Sequence, residues 1–119
     1  MMTPSEFMKT AVKILDDKKA IDIKVLKITD LTVIADYFII ATASSTTQIK
    51  MLADETQKRF KELGEPALRT EGYRAGGWVL VDFGCIIVHL FLKDIREFYS
   101  LERLWGDAKE IDVDEFITS

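Results

Sequence analysis

Along "TPSEFMKTAVKILDDKKA" the apolar residues return every three to four positions. Phe7, Ala11, Ile14 and Leu15 share one helical face, and Lys9, Lys13 and Asp16 lie off it. Thr3 as N-cap, Pro4 at the first helical position and Glu6 three residues after the cap mark the start of this helix. The period then shortens. "DIKVLKI" (22–28) and "DYFIIATA" (36–43) are short and β-branched, which predicts two strands, the more apolar second one central. "TDLTVIA" joins them, with Asp30 and Thr32 suited to a turn. A helical period resumes in "SSTTQIKMLADETQKRFKELGEP", with Ser45 as N-cap and Gln48 three residues on. Gly64 and Pro66 close this helix, and Ile49, Leu52, Ala53, Phe60 and Leu63 form its buried stripe.

"ALRTEGYRAGG" reads as a short strand entering a glycine-rich turn, and "WVLVDFGCIIVHLF" as a hairpin. Gly84-Cys85 fits a two-residue type II′ turn, which favours glycine first. The turn sets the register: Phe83 faces Ile86, Asp82 faces Ile87, Leu80 faces His89 and Trp78 faces Phe91. Alternation then puts Val79, Val81, Phe83, Ile86, Val88 and Leu90 on one surface, the core, and Trp78, Leu80, Asp82, Ile87, His89 and Phe91 on the other. "KDIREFYSLERLW" predicts one or two helical turns. The order is therefore αββαβββα, an α/β chain of the α+β sandwich kind with a single mixed sheet and packed helices. A domain over 1–106 would be followed by an acidic tail, 107–119, in which Ile111 and Phe116 are the residues able to dock.

Length and charge narrow the function. The 119 residues suit one domain. With 16 Lys+Arg against 20 Asp+Glu, the net charge of −4 has the wrong sign for a face that grips phosphates, so direct nucleic-acid recognition is not expected as the main contact. The single cysteine, Cys85, cannot form an internal disulfide, and no charged segment followed by an apolar one reads as a leader. The longest apolar run, Cys85 to Leu92, is far short of a bilayer span. A cytoplasmic chain with no membrane contact is therefore expected.

The second hairpin surface holds the candidate chemistry. Cys85 and His89 lie about 13 Å apart along a strand, too far to share an ion, and no second His or Cys exists. No metal or cofactor is expected. A hairpin-tip thiol with no cation beside it is a poor nucleophile. Asp82 and His89 are diagonal neighbours, close enough for a hydrogen bond that would satisfy a half-buried imidazole. A metal-dependent nucleotidyl transfer would need two carboxylates one residue apart on an apolar strand, and none follows the second helix. Asp54 and Glu55 are adjacent on that helix, and Asp112 and Asp114 lie in the tail. The chain is expected not to be an enzyme. Apolar Trp78, Leu80, Ile87 and Phe91 around two polar groups instead have the composition of a binding surface.

"ADYFIIATASSTTQ", "EGYRAGGWVLVDFG", "VHLF" and "REFYSLERLW" together resemble the Iojap family, whose bacterial members are ribosomal silencing factors, RsfS; the likeness spans roughly 7–107. The matching positions are Asp36, Tyr37 and Phe38; Ser45 and Gln48; Glu71 and Gly72; Trp78, Asp82, Gly84, His89 and Phe91; and Arg96, Tyr99, Leu101, Glu102 and Trp105. Ala43, where glycine is common, and Cys85, where an acid is usual, depart from the pattern. The resemblance implies a nucleotidyltransferase-like fold without catalytic carboxylates. It also implies binding to the large ribosomal subunit through ribosomal protein L-fourteen, a block on small-subunit joining, repression of translation when nutrients are short, and a homodimer when free. On this reading the binding face combines Tyr37, Trp78, Leu80, Asp82, His89 and Phe91 with Arg96, Tyr99, Leu101, Glu102 and Trp105, Arg96 and Glu102 forming a polar rim. An acidic chain would meet a basic ribosomal protein readily and be repelled by rRNA phosphates.

Overall fold

A computed structural model describes residues 2–99, 106–115 and 117. The elements are α1 (Pro4–Asp17), β1 (Ile21–Lys27), β2 (Tyr37–Ala43), α2 (Thr46–Glu62), β3 (Arg69–Glu71), β4 (Trp78–Asp82), β5 (Ile86–Leu92), α3 (Lys93–Tyr99), β6 (Lys109–Ile111) and a 3₁₀ turn at Val113–Glu115. The expected αββαβββα order is present. The strands form one mixed sheet in the order β3-β4-β5-β2-β1-β6, in which only β2 and β5 run parallel.

The helix ends follow the local chemistry. Thr3 Oγ1 accepts from Glu6 N, and Glu6 Oε1 accepts from Thr3 N, so the first capping box is complete. At α2, Ser45 Oγ accepts from Gln48 N, but Gln48 Oε1 turns to Ser44, accepting from its N and Oγ at 2.6 and 2.8 Å. Gly64, at φ 82°, ends α2 in a Schellman motif: its N–H donates to Lys61 O and that of Glu65 to Phe60 O. Leu63 therefore leaves the predicted stripe and is 55% exposed, and buried Thr56, which donates to Leu52 O, joins that stripe instead.

Both long helices pack on one sheet face, where Val79, Val81, Phe83, Ile86, Val88 and Leu90 are all buried, as predicted. Phe60 anchors this core, stacked on Phe7 at 5.1 Å and tilted against Phe83 at 4.5 Å. On the other face a smaller cluster gathers Leu26, Ile28, Ala35, Phe38, Ile40, Ile87 and Phe91, with Trp78, Leu80, Ile95 and Ala108 partly buried beside it.

The segment expected to be only a tail contributes to the sheet. Val25, Leu26 and Lys27 pair with Ile111, Glu110 and Lys109, and Ile111, Val113 and Ile117 pack on the helix-side core. Docking of Ile111 is as anticipated, and Phe116 lies outside the described residues.

Candidate protein-docking face

The hairpin register matches the one the turn predicts. Trp78 pairs with Phe91, Leu80 with His89 and Asp82 with Ile87, and Phe83 N donates to Ile86 O. Gly84 at φ 93° supplies the left-handed conformation of the turn. Asp82 fixes the tip rather than the histidine: Oδ1 accepts from Gly84 N at 2.8 Å and Oδ2 from Arg69 Nε at 3.2 Å. The anticipated Asp82–His89 hydrogen bond is absent: the carboxylate turns to the tip and to β3, and the imidazole turns to Trp78.

His89 turns to Trp78 instead, with Nδ1 accepting from the indole Nε1–H at 3.2 Å. An indole nitrogen only donates, so Nδ1 must carry the lone pair and the proton sits on Nε2. Phe38 meets the imidazole edge-on at 4.7 Å, and Phe91 lies parallel to it at 6.3 Å. Burial among these rings lowers the His89 pKa to about 4, and among the described residues Nε2 has no hydrogen-bond partner. Trp78 also stacks on Phe91 at 4.9 Å. The turn before β4 grips the same residue, because a Cβ on Gly72 (φ 78°) would collide with the Trp78 carbonyl oxygen.

Four predicted site residues take roles other than the expected ones. His89 and Phe91 are 4% and 0% exposed, so in the free chain they support the face rather than touch a partner. Tyr37 is in register with Ile86 and packs on the helix-side core, the opposite face from Trp78. Phe38, one residue on, takes the place expected for Tyr37. Arg96, on α3, donates from Nη1 to Asp22 O at 2.6 Å and Thr42 Oγ1 at 2.7 Å and so ties α3 to β1 and β2, contacts the expected polar rim did not include. Trp78, Leu80 and Asp82 remain half-buried and share the second face. Tyr99 ends α3, and Leu101, Glu102 and Trp105 lie outside the described residues.

The face expected from the sequence left out Ile28, Ala35 and Phe38, the last of these named only as a family position. A signal for Phe38 was present: Ala41 and Ala43, small enough to lie beneath helices, mark the odd positions of β2 as helix-facing and leave the even ones for the second face.

Among the described residues of this face, the hydrogen bonds of His89 and Asp82 go to Trp78, Gly84 and Arg69 and not to a nucleophile. Burial and then the Asp36 carboxylate raise the Cys85 thiol pKa, which disfavours a thiolate. Among the described residues no group of three or more His, Cys, Asp or Glu could hold a metal ion, and no helix is long and apolar enough to cross a membrane. The fold is a small α+β module with one apolar sheet face left half-covered at β4.

The comparisons give that module its family. Residues 2–119 match the model of RsfS, "Ribosomal silencing factor during starvation", and the chain belongs to this family, one of regulatory factors directed at the ribosome. Ribosomal silencing factor RsfS of Halalkalibacterium halodurans is 39% identical over 98% of this chain and all of its own length. The mouse protein called Mitochondrial assembly of ribosomal large subunit protein 1 is 35% identical over 79% of this chain and 42% of its own. A crystal structure of a Chromobacterium violaceum protein superposes with a TM-score of 0.86 at 36% identity, covering 99% of this chain and 95% of that one.

Proposed function

We propose that this chain binds the large ribosomal subunit through ribosomal protein L-fourteen, blocks its joining to the small subunit and thereby lowers translation when nutrients are short. The observation that carries the proposal is the second sheet face. Trp78 and Leu80 lie half-buried beside Asp82, over a base of Phe38, His89 and Phe91 that fixes the indole. Aromatic anchors on a rigid base dominate binding energy. The net charge of −4 favours a basic protein over rRNA. The family's regulatory character and the mouse relative's name, which refers to the large subunit, support the same reading. On it the chain works in the cytoplasm, self-associates when free and catalyses no reaction.

The test is cosedimentation with purified large subunits in a sucrose gradient, followed by a subunit-joining assay. Wild type should comigrate and lower the yield of joined ribosomes, and Leu80→Ser should do neither while remaining folded. Joining that proceeds unchanged with saturating wild-type protein would overturn the proposal.

A further inference from the structure

The β1–β2 connection presents apolar side chains to water at the border of the second face. Val33 is 103% exposed, Ile34 60% and Leu31 44%. The two ends of the loop, Ile28 and Ala35, are buried in the second-face cluster, and the loop lies at the hairpin-tip end of that face, where Phe38 pairs with Ile87 and Ile87 with Asp82; Leu80 and then Trp78 follow along β4 away from it. Its conformation is held by hydrogen bonds. Ile28 N donates to Asp36 O at 2.9 Å, and Thr29 Oγ1 donates to the same carbonyl at 3.2 Å. Leu31 N and Thr32 N both donate to Ile28 O, and Ile34 N donates to Thr32 Oγ1 at 3.2 Å. Asp36 N donates to Cys85 O, tying the loop to the hairpin tip.

Single exposed aliphatic residues are ordinary on a protein surface, but three on one short hydrogen-bonded loop form a local apolar projection. Because the backbone is already fixed, docking this projection requires little further ordering. Its electrostatics specify the partner. No lysine or arginine occurs between Lys27 and Lys50, whereas Asp30 and Asp36 flank the apolar tip. That combination fits a basic protein surface with an apolar hollow.

We infer that the β1–β2 loop is a second foothold for the basic protein that the Trp78–Leu80 face engages, Val33 and Ile34 entering its apolar hollow while Asp30 meets its cations. The inference rests on the proposed docking of that face to the large subunit. The test measures binding of the full chain to purified large subunits, with a thermal melt and a sedimentation profile for each variant. Val33→Ser combined with Ile34→Ser should raise the dissociation constant tenfold or more at an unchanged melt, since both side chains are in water in the free protein. Asp30→Lys should weaken binding at low salt, with the difference shrinking at high salt. If both loop variants bind like wild type while Leu80→Ser loses binding, the foothold is wrong and the face reading stands. If wild type does not bind large subunits at all, the face reading fails and the inference with it. Loop variants that lose only self-association, keeping full subunit binding, would assign the loop to a second copy and overturn the inference.

Discussion

The two faces of the β4–β5 hairpin share a backbone and a turn, yet differ in kind. Toward the helices, Val79, Val81, Phe83, Ile86, Val88 and Leu90 are buried and uniformly apolar. Away from them the β5 side chains Ile87, His89 and Phe91 are buried, while their β4 partners Trp78, Leu80 and Asp82 are only half covered. A surface meant only for packing has no use for an imidazole with an unpaired nitrogen or a partly wet indole, because each costs stability that an aliphatic side chain would keep. The helix side is where the fold is made stable, and the other side gives up part of that stability to present a shaped, aromatic surface.

The sharpest way to break this comparison is to damage the helix side. Phe60→Ala removes a fully buried ring stacked on Phe7, and denaturant unfolding should show a loss of about 3–5 kcal/mol. Any variant that remains folded should still bind the large subunit. A loss smaller than that of Trp78→Ala would reverse the assignment of the two faces.

A pH series probes the second face at nearly the same magnitude. Burial lowers the pKa of His89 in the folded chain to about 4, from the 6.5 of a solvated imidazole. The folded state therefore takes up this proton less readily than the unfolded one. The stability is whole above pH 6.5, declines as pH falls through 6.5 toward 4, and levels off below, for a total of about 3 kcal/mol. Denaturant midpoints at pH 7 and pH 4.5 should separate more for wild type than for His89→Phe, which cannot titrate there. Equal separations would show that the imidazole is not desolvated.

Features dictated by neighbouring residues were legible in the sequence. The hairpin register came from Gly84 and two-residue alternation, and the Thr3–Glu6 capping box from spacing alone. Features that depend on distant chain were not. Which face Tyr37 takes is decided by the parallel pairing of β2 with β5, across an intervening helix and two strands, and no local turn sets that register. Asp82 was assigned to His89 by distance, but the Gly84 N–H is nearer in sequence and Arg69 arrives from β3. β6 escaped notice because Lys109-Glu110-Ile111 holds one apolar residue, too few to show alternation. Consequently the tail is structural as well as acidic, and removing residues 109–119 should lower the melting temperature, where a free tail would leave it unchanged.

Trp78→Ala should fall between the faces, lowering stability by about 2 kcal/mol. It removes the stack on Phe91 and leaves His89 Nδ1 without its donor, yet part of the ring was already in water. Trp78→Phe keeps a six-membered ring against Phe91 but loses the N–H and part of the indole's area, so a loss of about 1 kcal/mol or somewhat more should remain, the orphaned nitrogen included. An unchanged unfolding midpoint for Trp78→Phe would show that the indole–imidazole hydrogen bond does not hold the ring.

The smallest effect on stability should come from Leu80→Ser, and it separates the two faces most cleanly. Leu80 sits on β4 directly opposite buried His89 but is itself half-covered, and no backbone hydrogen bond depends on its side chain. Truncating it removes part of an apolar contact without opening a closed cavity, so the loss should stay near 1 kcal/mol or below. On the proposed docking, binding should respond in the opposite proportion, because a partner would complete the burial that the free chain leaves unfinished. Val79→Ser, one residue earlier on the same strand, faces the helices at 0% exposure and should destabilise the fold by clearly more than Leu80→Ser. Equal losses of stability at these neighbours, with equal effects on large-subunit binding, would mean that the hairpin has two core faces and that the docking surface lies elsewhere.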